Sequence, residues 1–223
     1  MYVFRFAHCI NVDYYVDLLN LLSNLLQEEW LGFREQMHCI QTVFAILSGQ
    51  GEALTLDPNR FYMITYKNLL SVNASKNFDN FVIVMKTLME ILIKQQKKIR
   101  NRRLIGFIKR IMILSLQLLH NGTLSCLGLV KLSMQMNTAV NILLDTDKSV
   151  GDGDYRPEIE DAEYCNASST CLYELSLLRS HYHPVVRKYA SHIAHEAPAV
   201  GEGSLPPEYA KWYVLKILIY NNM

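Results

Sequence analysis

Residues 104–119 read LIGFIKRIMILSLQLL, and this stretch decides the fold. It is apolar on almost every side of a helical projection, interrupted only by Lys109-Arg110. A helix that is hydrophobic all round is buried all round, so it belongs at the centre of the chain with other helices packed about it. A bilayer crossing needs roughly 18 or more consecutive apolar residues, and the Lys109-Arg110 break leaves this run too short. The sequence therefore predicts a central helix and no membrane span.

Helical periodicity continues outward in both directions. Upstream, Phe78, Phe81, Val82, Met85, Leu88, Met89 and Leu92 form one stripe at three-four spacing. Met37, Ile40, Phe44 and Leu47 form another, with Gly49 placed to end it. Tyr15, Leu18, Leu19, Leu22, Leu25 and Leu26 form a third, with Asp13 as its N-cap. Asp57-Pro58 reads as an N-cap followed by proline at the first helical position, ahead of Phe61, Ile64, Tyr66, Leu69 and Leu70. Downstream, Asn121-Gly122 is a turn signal, followed by helices over 123–134 and 137–144. Residues 145–165 show turn residues and no period. Helix returns over 168–179, with Cys171, Leu172, Leu175 and Leu178 inward, and again after Pro184, with Val186, Tyr189, Ala190 and Ile193 inward. The terminal WYVLKILIY (212–220) suits either helix or strand.

Pairing these helices gives units that begin near Asp13, Asp57, Arg100 and Asn166. Their spacing, about forty to fifty residues once the acidic loop is set aside, is that of HEAT or armadillo helix pairs. The expectation is an all-α fold of HEAT/armadillo-like stacked helix pairs, with an irregular helical bundle as the alternative. Residues 1–144 form the helical-repeat region. Residues 145–207 hold an acidic loop and a helix pair on the same body, and 208–223 are a divergent apolar tail. The opening in core-like sequence, without the charged start of a signal peptide, reads as a piece cut from a longer chain.

The net charge of +1 over 223 residues hides a segregation. Lys94, Lys97, Lys98, Arg100, Arg102, Arg103, Lys109 and Arg110 share one short stretch with no acid among them. Asp145, Asp147, Asp152, Asp154, Glu158, Glu160, Asp161 and Glu163 share another. The basic run reads either as cations complementing a helix end or as a contact to RNA phosphates or an acidic partner. It carries no interleaved aromatics, so phosphate contact is indicated and base stacking is not.

Catalytic and metal patterns are incomplete. Ser48-Gly49-Gln50-Gly51-Glu52 lacks the lysine and hydroxyl residue of a phosphate loop. An EF-hand counted from Asp145 would put Val150 where glycine is required and Arg156 where a bidentate glutamate is required. His181, His183, His192 and His195 cluster in sequence without a HExxH pattern or a cysteine pair. No serine or cysteine stands in a nucleophile motif. The five cysteines, Cys9, Cys39, Cys126, Cys165 and Cys171, include no CxxC pair and read as reduced thiols. No cofactor, metal or small-molecule substrate is expected, and no enzyme; a metal-dependent hydrolase using the histidines is the remote alternative.

The stretch GDGDYRPEIEDAEYCNASSTCLYELSLLRSHYHPVVRKYASHI (151–193) resembles the signature of the CCAAT-binding-factor-like nucleolar complex family. An acidic turn with a Y-x-P-x-x-E-D core, here Tyr155, Pro157, Glu160 and Asp161, leads to Tyr173, Glu174, Leu175 and Leu178. The His181-Tyr182-His183-Pro184 segment with Val186, Arg187 and Lys188 follows, and Arg179 lies between. INVDYYVDLLNLLSNLL and CIQTVFAILSGQGEALTLDPNRFY extend the resemblance over most of the chain, to the C-terminal portion of a longer member. It implies a scaffold of the nucleolus, within the nucleus, that helps assemble the large (60S) ribosomal subunit. The partners implied are nucleolar complex protein 2, other pre-60S assembly factors and pre-rRNA. A chromatin-binding role in DNA replication initiation is the alternative. Physically, Glu160, Asp161 and Glu174 are expected to pair with Arg179, Arg187 or Lys188, pinning the acidic loop against the last helix pair.

Overall fold

The computed structural model describes residues 12–26, 30–48, 58–72, 78–146 and 153–196. Among these residues the regular structure is helical and includes no strand. The α-helices are α1 (Val12–Leu25), α2 (Phe33–Ser48), α3 (Asn59–Asn68), α4 (Phe78–Met89), α5 (Asn101–Ser115), α6 (His120–Met136), α7 (Glu174–Leu178) and α8 (Pro184–Ala194). A 3-10 turn, Leu69–Ser71, prolongs α3, and a π turn, Glu90–Lys94, prolongs α4. Further 3-10 segments span Thr138–Leu144 and Ala167–Ser169.

The helices stack as pairs. α1 packs on α2, α5 on α6 and α7 on α8, while α3 lies against α2. α2, α4, α6 and α8 touch one another in that order and form one layer. In the other layer α5 meets the end of α3 on one side and α7 on the other. The all-α stack expected from the periodicity is therefore the observed fold. Each layer closes over the apolar stripes read from the sequence: Met37, Ile40, Phe44 and Leu47 from α2, and Phe81, Met85 and Leu88 from α4, are buried. From α5, Leu104, Ile105, Phe107, Ile108, Ile111, Met112 and Leu114 are buried too, which places that helix at the centre.

Several boundaries differ from the sequence reading. Asn121-Gly122 is not a turn; it sits in the first turn of α6, which starts at His120. The corner falls earlier, where Leu119 is extended (φ −67°, ψ 159°) and Thr123 Oγ1 donates back to Ser115 O at 2.9 Å. Gly122 packs closely there: a Cβ would stand 3.0 Å from Leu118 Cβ, so a larger residue would need that side chain to shift. The helix expected over 168–179 is also shorter. Asn166 is left-handed (φ 54°), Thr170 is extended, and helix resumes only at Glu174. The extended piece hangs on the core through the Leu172 N–H, which donates to Leu143 O at 2.8 Å. Leu70 is exposed rather than inward. Gly49, Asp57 and the terminal 212–220 lie outside the described residues.

The π turn shows what a local irregularity accomplishes. An extra residue in the last turn of a helix rotates the chain beyond it by about a third of a turn. Gln95 is thereby turned inward: its Nε2 donates to Phe44 O at 2.7 Å and to Ser48 Oγ at 2.8 Å. Lys98 Nζ adds a bond to Leu47 O at 3.1 Å. Of these acceptors, Leu47 O is among the last four carbonyls of α2, which have no intrahelical donor.

An aromatic knot ties the two layers at α5. Phe107 meets the Tyr66 ring edge-on at a centroid distance of 5.3 Å and the Tyr62 ring at 6.5 Å, and Tyr62 in turn lies 5.0 Å from Phe44. Phe107→Ala is expected to lower unfolding free energy by about 3–5 kcal/mol, read as a fall in urea midpoint at unchanged slope.

Candidate functional site

The basic run and the acidic segment meet across α5. Gly106 makes the meeting close: a Cβ there would collide with the Ala162 carbonyl, so the acidic segment lies directly on the helix backbone. On either side of this crossing, α5 cations turn inward to it.

Glu163 takes Arg100 Nη1 at 2.6 Å and Arg103 Nη2 at 2.5 Å. Arg103 also donates to Asn59 Oδ1 at 2.5 Å, and its guanidinium lies 4.8 Å from the Tyr62 ring centroid. Two turns further, Arg110 is buried without a carboxylate. It is held instead by carbonyls, Tyr66 O at 3.0 Å, Ile159 O at 3.4 Å and Pro157 O, and it stacks 3.4 Å from the Tyr66 ring centroid. A planar guanidinium suits this role, since its fork reaches several acceptors at once and stacks on an aromatic face.

Lys109 is the most deeply placed cation, with 0% of its side chain exposed, and Glu174 matches it at 0%. Its Nζ donates to Glu174 Oε1 at 2.7 Å, to Glu174 Oε2 at 3.0 Å and to Cys171 O at 2.8 Å. The Tyr173 ring centroid lies 3.7 Å away. Burial pushes the Lys109 amine below its ordinary range, while the Glu174 hydrogen bond and charge pull it back up. The ammonium's three protons are thus spent on three acceptors, the condition under which a buried ion pair is tolerated.

The remaining signature residues close the loops around this seam. Asp161 Oδ1 accepts the Glu163 N–H at 2.9 Å, setting the turn that presents Glu163. Glu160 pairs with Lys67 at 2.7 Å, and both are exposed. The Tyr155 and Tyr66 hydroxyls sit in a pocket with Cys165, and burial raises the pKa of both. Pro184 opens α8, and Arg187 Nη1 donates to His181 O at 3.2 Å and Tyr182 O at 3.3 Å across the same turn. The expected pairing of Glu160, Asp161 and Glu174 with Arg179, Arg187 or Lys188 is not what forms. Glu174 and Glu160 instead take lysines from α5 and α3, because the acidic segment crosses α5 before the last helix pair begins.

Of the basic run, then, Arg103, Lys109 and Arg110 face inward. Lys94 pairs with Glu90 one turn back, Lys98 caps α2, and Arg100 reaches Glu163. Lys97 and Arg102 stand exposed and enter no ion pair among the described residues. Reading charge from sequence missed Gln95, Asn59, Lys67 and Gly106; nothing in their residue types or spacing flags a contact made only in three dimensions.

Among the described residues no cluster of histidine, cysteine and carboxylate groups could hold a metal ion, and no helix is long and apolar enough to cross a membrane. Cys39, Cys126, Cys165 and Cys171 are free thiols, and burial pushes Cys126 up to about 12.

Breaking the central pair is costly in a specific way. Lys109→Met leaves Glu174 buried and unpaired and should cost about 3–5 kcal/mol, whereas adding Glu174→Leu should recover most of it. Chemical denaturation of both single variants and the double variant measures this coupling.

The CBF/Mak21 family model matches residues 36–190, which covers α2 through most of α8 and the whole charged seam. Nucleolar complex protein 3 of Drosophila melanogaster is 53% identical over 208 residues, covering 93% of this chain and 25% of that protein. The Homo sapiens homologue of nucleolar complex protein 3 is 40% identical over 207 residues, covering 93% of this chain and 26% of that protein. Nucleolar complex-associated protein 3 of Schizosaccharomyces pombe is 30% identical over 227 residues, covering 86% of this chain and 30% of that protein. The chain spans about a quarter of the length of the first two relatives. These names agree with the nucleolar location that the signature implies. With its signature folded onto α5 and the match running through it, the chain belongs to the CBF/Mak21 family.

Proposed function

We propose that this chain is a non-catalytic scaffold segment in assembly of the large (60S) ribosomal subunit in the nucleolus. In this reading it binds pre-rRNA and other assembly factors, nucleolar complex protein 2 among them. The observation that carries the RNA part is the division of the basic run. The inward cations build the fold, Lys98 and Arg100 are engaged by Leu47 O and Glu163, and Lys97 and Arg102 stand outward at the corner between α4 and α5. Cations that the fold does not consume are available to phosphate, whose contacts dominate nucleic-acid affinity. Stacked helix pairs also leave extended faces suited to protein partners.

A Lys97→Glu, Arg102→Glu variant tests this. It should retain the wild-type unfolding curve, lose most pre-rRNA crosslinks in cells, and lower the slope of log affinity against log salt by about one to two. Crosslinks confined to DNA would favour the chromatin-binding alternative, and unchanged pre-rRNA crosslinks would remove this corner from the RNA contact.

A further inference from the structure

A second surface combines what the basic run lacks, exposed aromatics among cations. It lies where the turn before α8 meets the start of α6. Tyr182 is 68% exposed, although its hydroxyl is held by His120 Nδ1 at 3.0 Å. The ring is thus pinned by its edge while its body stays in water. The His181 ring lies against it at 4.3 Å, tilted by 33°. Behind it His120 and His183 stack face to face, with centroids 4.6 Å apart and planes 7° from parallel.

Burial first, and then the neighbouring His183, His120 and Arg187, push the His181 pKa down, and no carboxylate is among the groups acting on it. Arg187 uses Nη1 on the two backbone carbonyls of the turn, and among the described residues Nε and Nη2 have no partner. Arg179 and Lys188 are exposed on the same turn and helix. The turn itself closes without the tyrosine ring: the His183 N–H donates to His181 Nδ1 at 3.1 Å, and Arg187 spans the carbonyls. Tyr182 therefore adds little to the turn that a smaller residue would not.

We infer that Tyr182, with His181 and Arg187, is a binding site for single-stranded RNA, stacking one unpaired base on the tyrosine and taking the neighbouring phosphate on the guanidinium. Every base has a π-face, so a fixed, exposed ring accepts any of them, and a cation beside it orients the strand. A duplex keeps its bases stacked inside and has only phosphates to offer. The inference rests on the pre-rRNA reading and adds to it an unpaired segment as the thing bound.

The test uses the full chain and a fluorescein-labelled single-stranded RNA of about twelve nucleotides, with an RNA duplex of the same length as control, in anisotropy titrations at fixed salt. Tyr182→Ala should weaken single-strand binding about tenfold, leave duplex binding and the salt slope unchanged, and keep the wild-type thermal transition. Tyr182→Phe keeps the ring and loses only its hydroxyl bond to His120, so its single-strand affinity should fall by much less than that of Tyr182→Ala. Single-strand affinity that is unchanged in Tyr182→Ala overturns the site while leaving the α4–α5 corner standing. Equal losses on single strand and duplex also overturn it, as does loss of a co-purifying assembly factor with RNA affinity intact. A wild-type chain that binds neither RNA removes the RNA reading as a whole.

Discussion

Lys109 and Arg110 sit in the most buried helix among the described residues, and the segment that crosses it brings acceptors to both. A buried charge without partners costs several kcal/mol, so a helix that carries two of them at its centre has to bring acceptors to that place. Glu174 comes from the start of α7, and the carbonyls of Cys171, Pro157 and Ile159 come from the chain that crosses α5. The segment from 153 to 173 is largely irregular, and several of its backbone carbonyls are occupied by α5 cations. Gly106 completes the arrangement by removing the side chain that would hold that segment off the helix.

The same constraint orders the electrostatics. A run of cations beside a run of acids suggests two poles facing outward, and in the folded chain the two meet at Glu163, which takes Arg100 and Arg103, while Lys109 and Arg110 are held by Glu174 and by backbone carbonyls. The exposed pairs, such as Lys67 with Glu160, add little to stability because water and salt screen them. The deep pair and the carbonyl-bound arginine set the register of the acidic segment on α5. The charge left outside, Lys97 and Arg102 at one corner and Arg187 with its aromatic neighbours at another, is the part free to meet a partner.

Helix existence was readable because each helix buries one stripe, and a stripe at three-four spacing survives in one dimension. The stripes of α2, α4 and α5 marked their core residues, and the length of the match to the signature marked the family. Boundaries were less readable where a single residue's conformation decides them. Gly122 signals a turn by composition and yet lies inside α6, packed closely beside Leu118. The 168–179 segment has helical spacing, but Leu172 is more useful hydrogen-bonded to Leu143 than placed in a helix.

The sequence by itself determined the all-helical class, the central position of residues 104–115 and the two charged runs, because hydrophobic periodicity and charge are local properties of a chain, while Leu116 and Leu119 beyond the helix end are exposed. Only the tertiary structure decided which cations are structural and which face solvent. Lys109 and Arg102 are one kind of residue in a list of charges, seven positions apart on one helix. At about 100° per residue they lie on nearly the same face, so the difference is position along the axis: Lys109 is in the middle of α5, where a segment 65 residues away brings Glu174 to it, and Arg102 is in the exposed first turn.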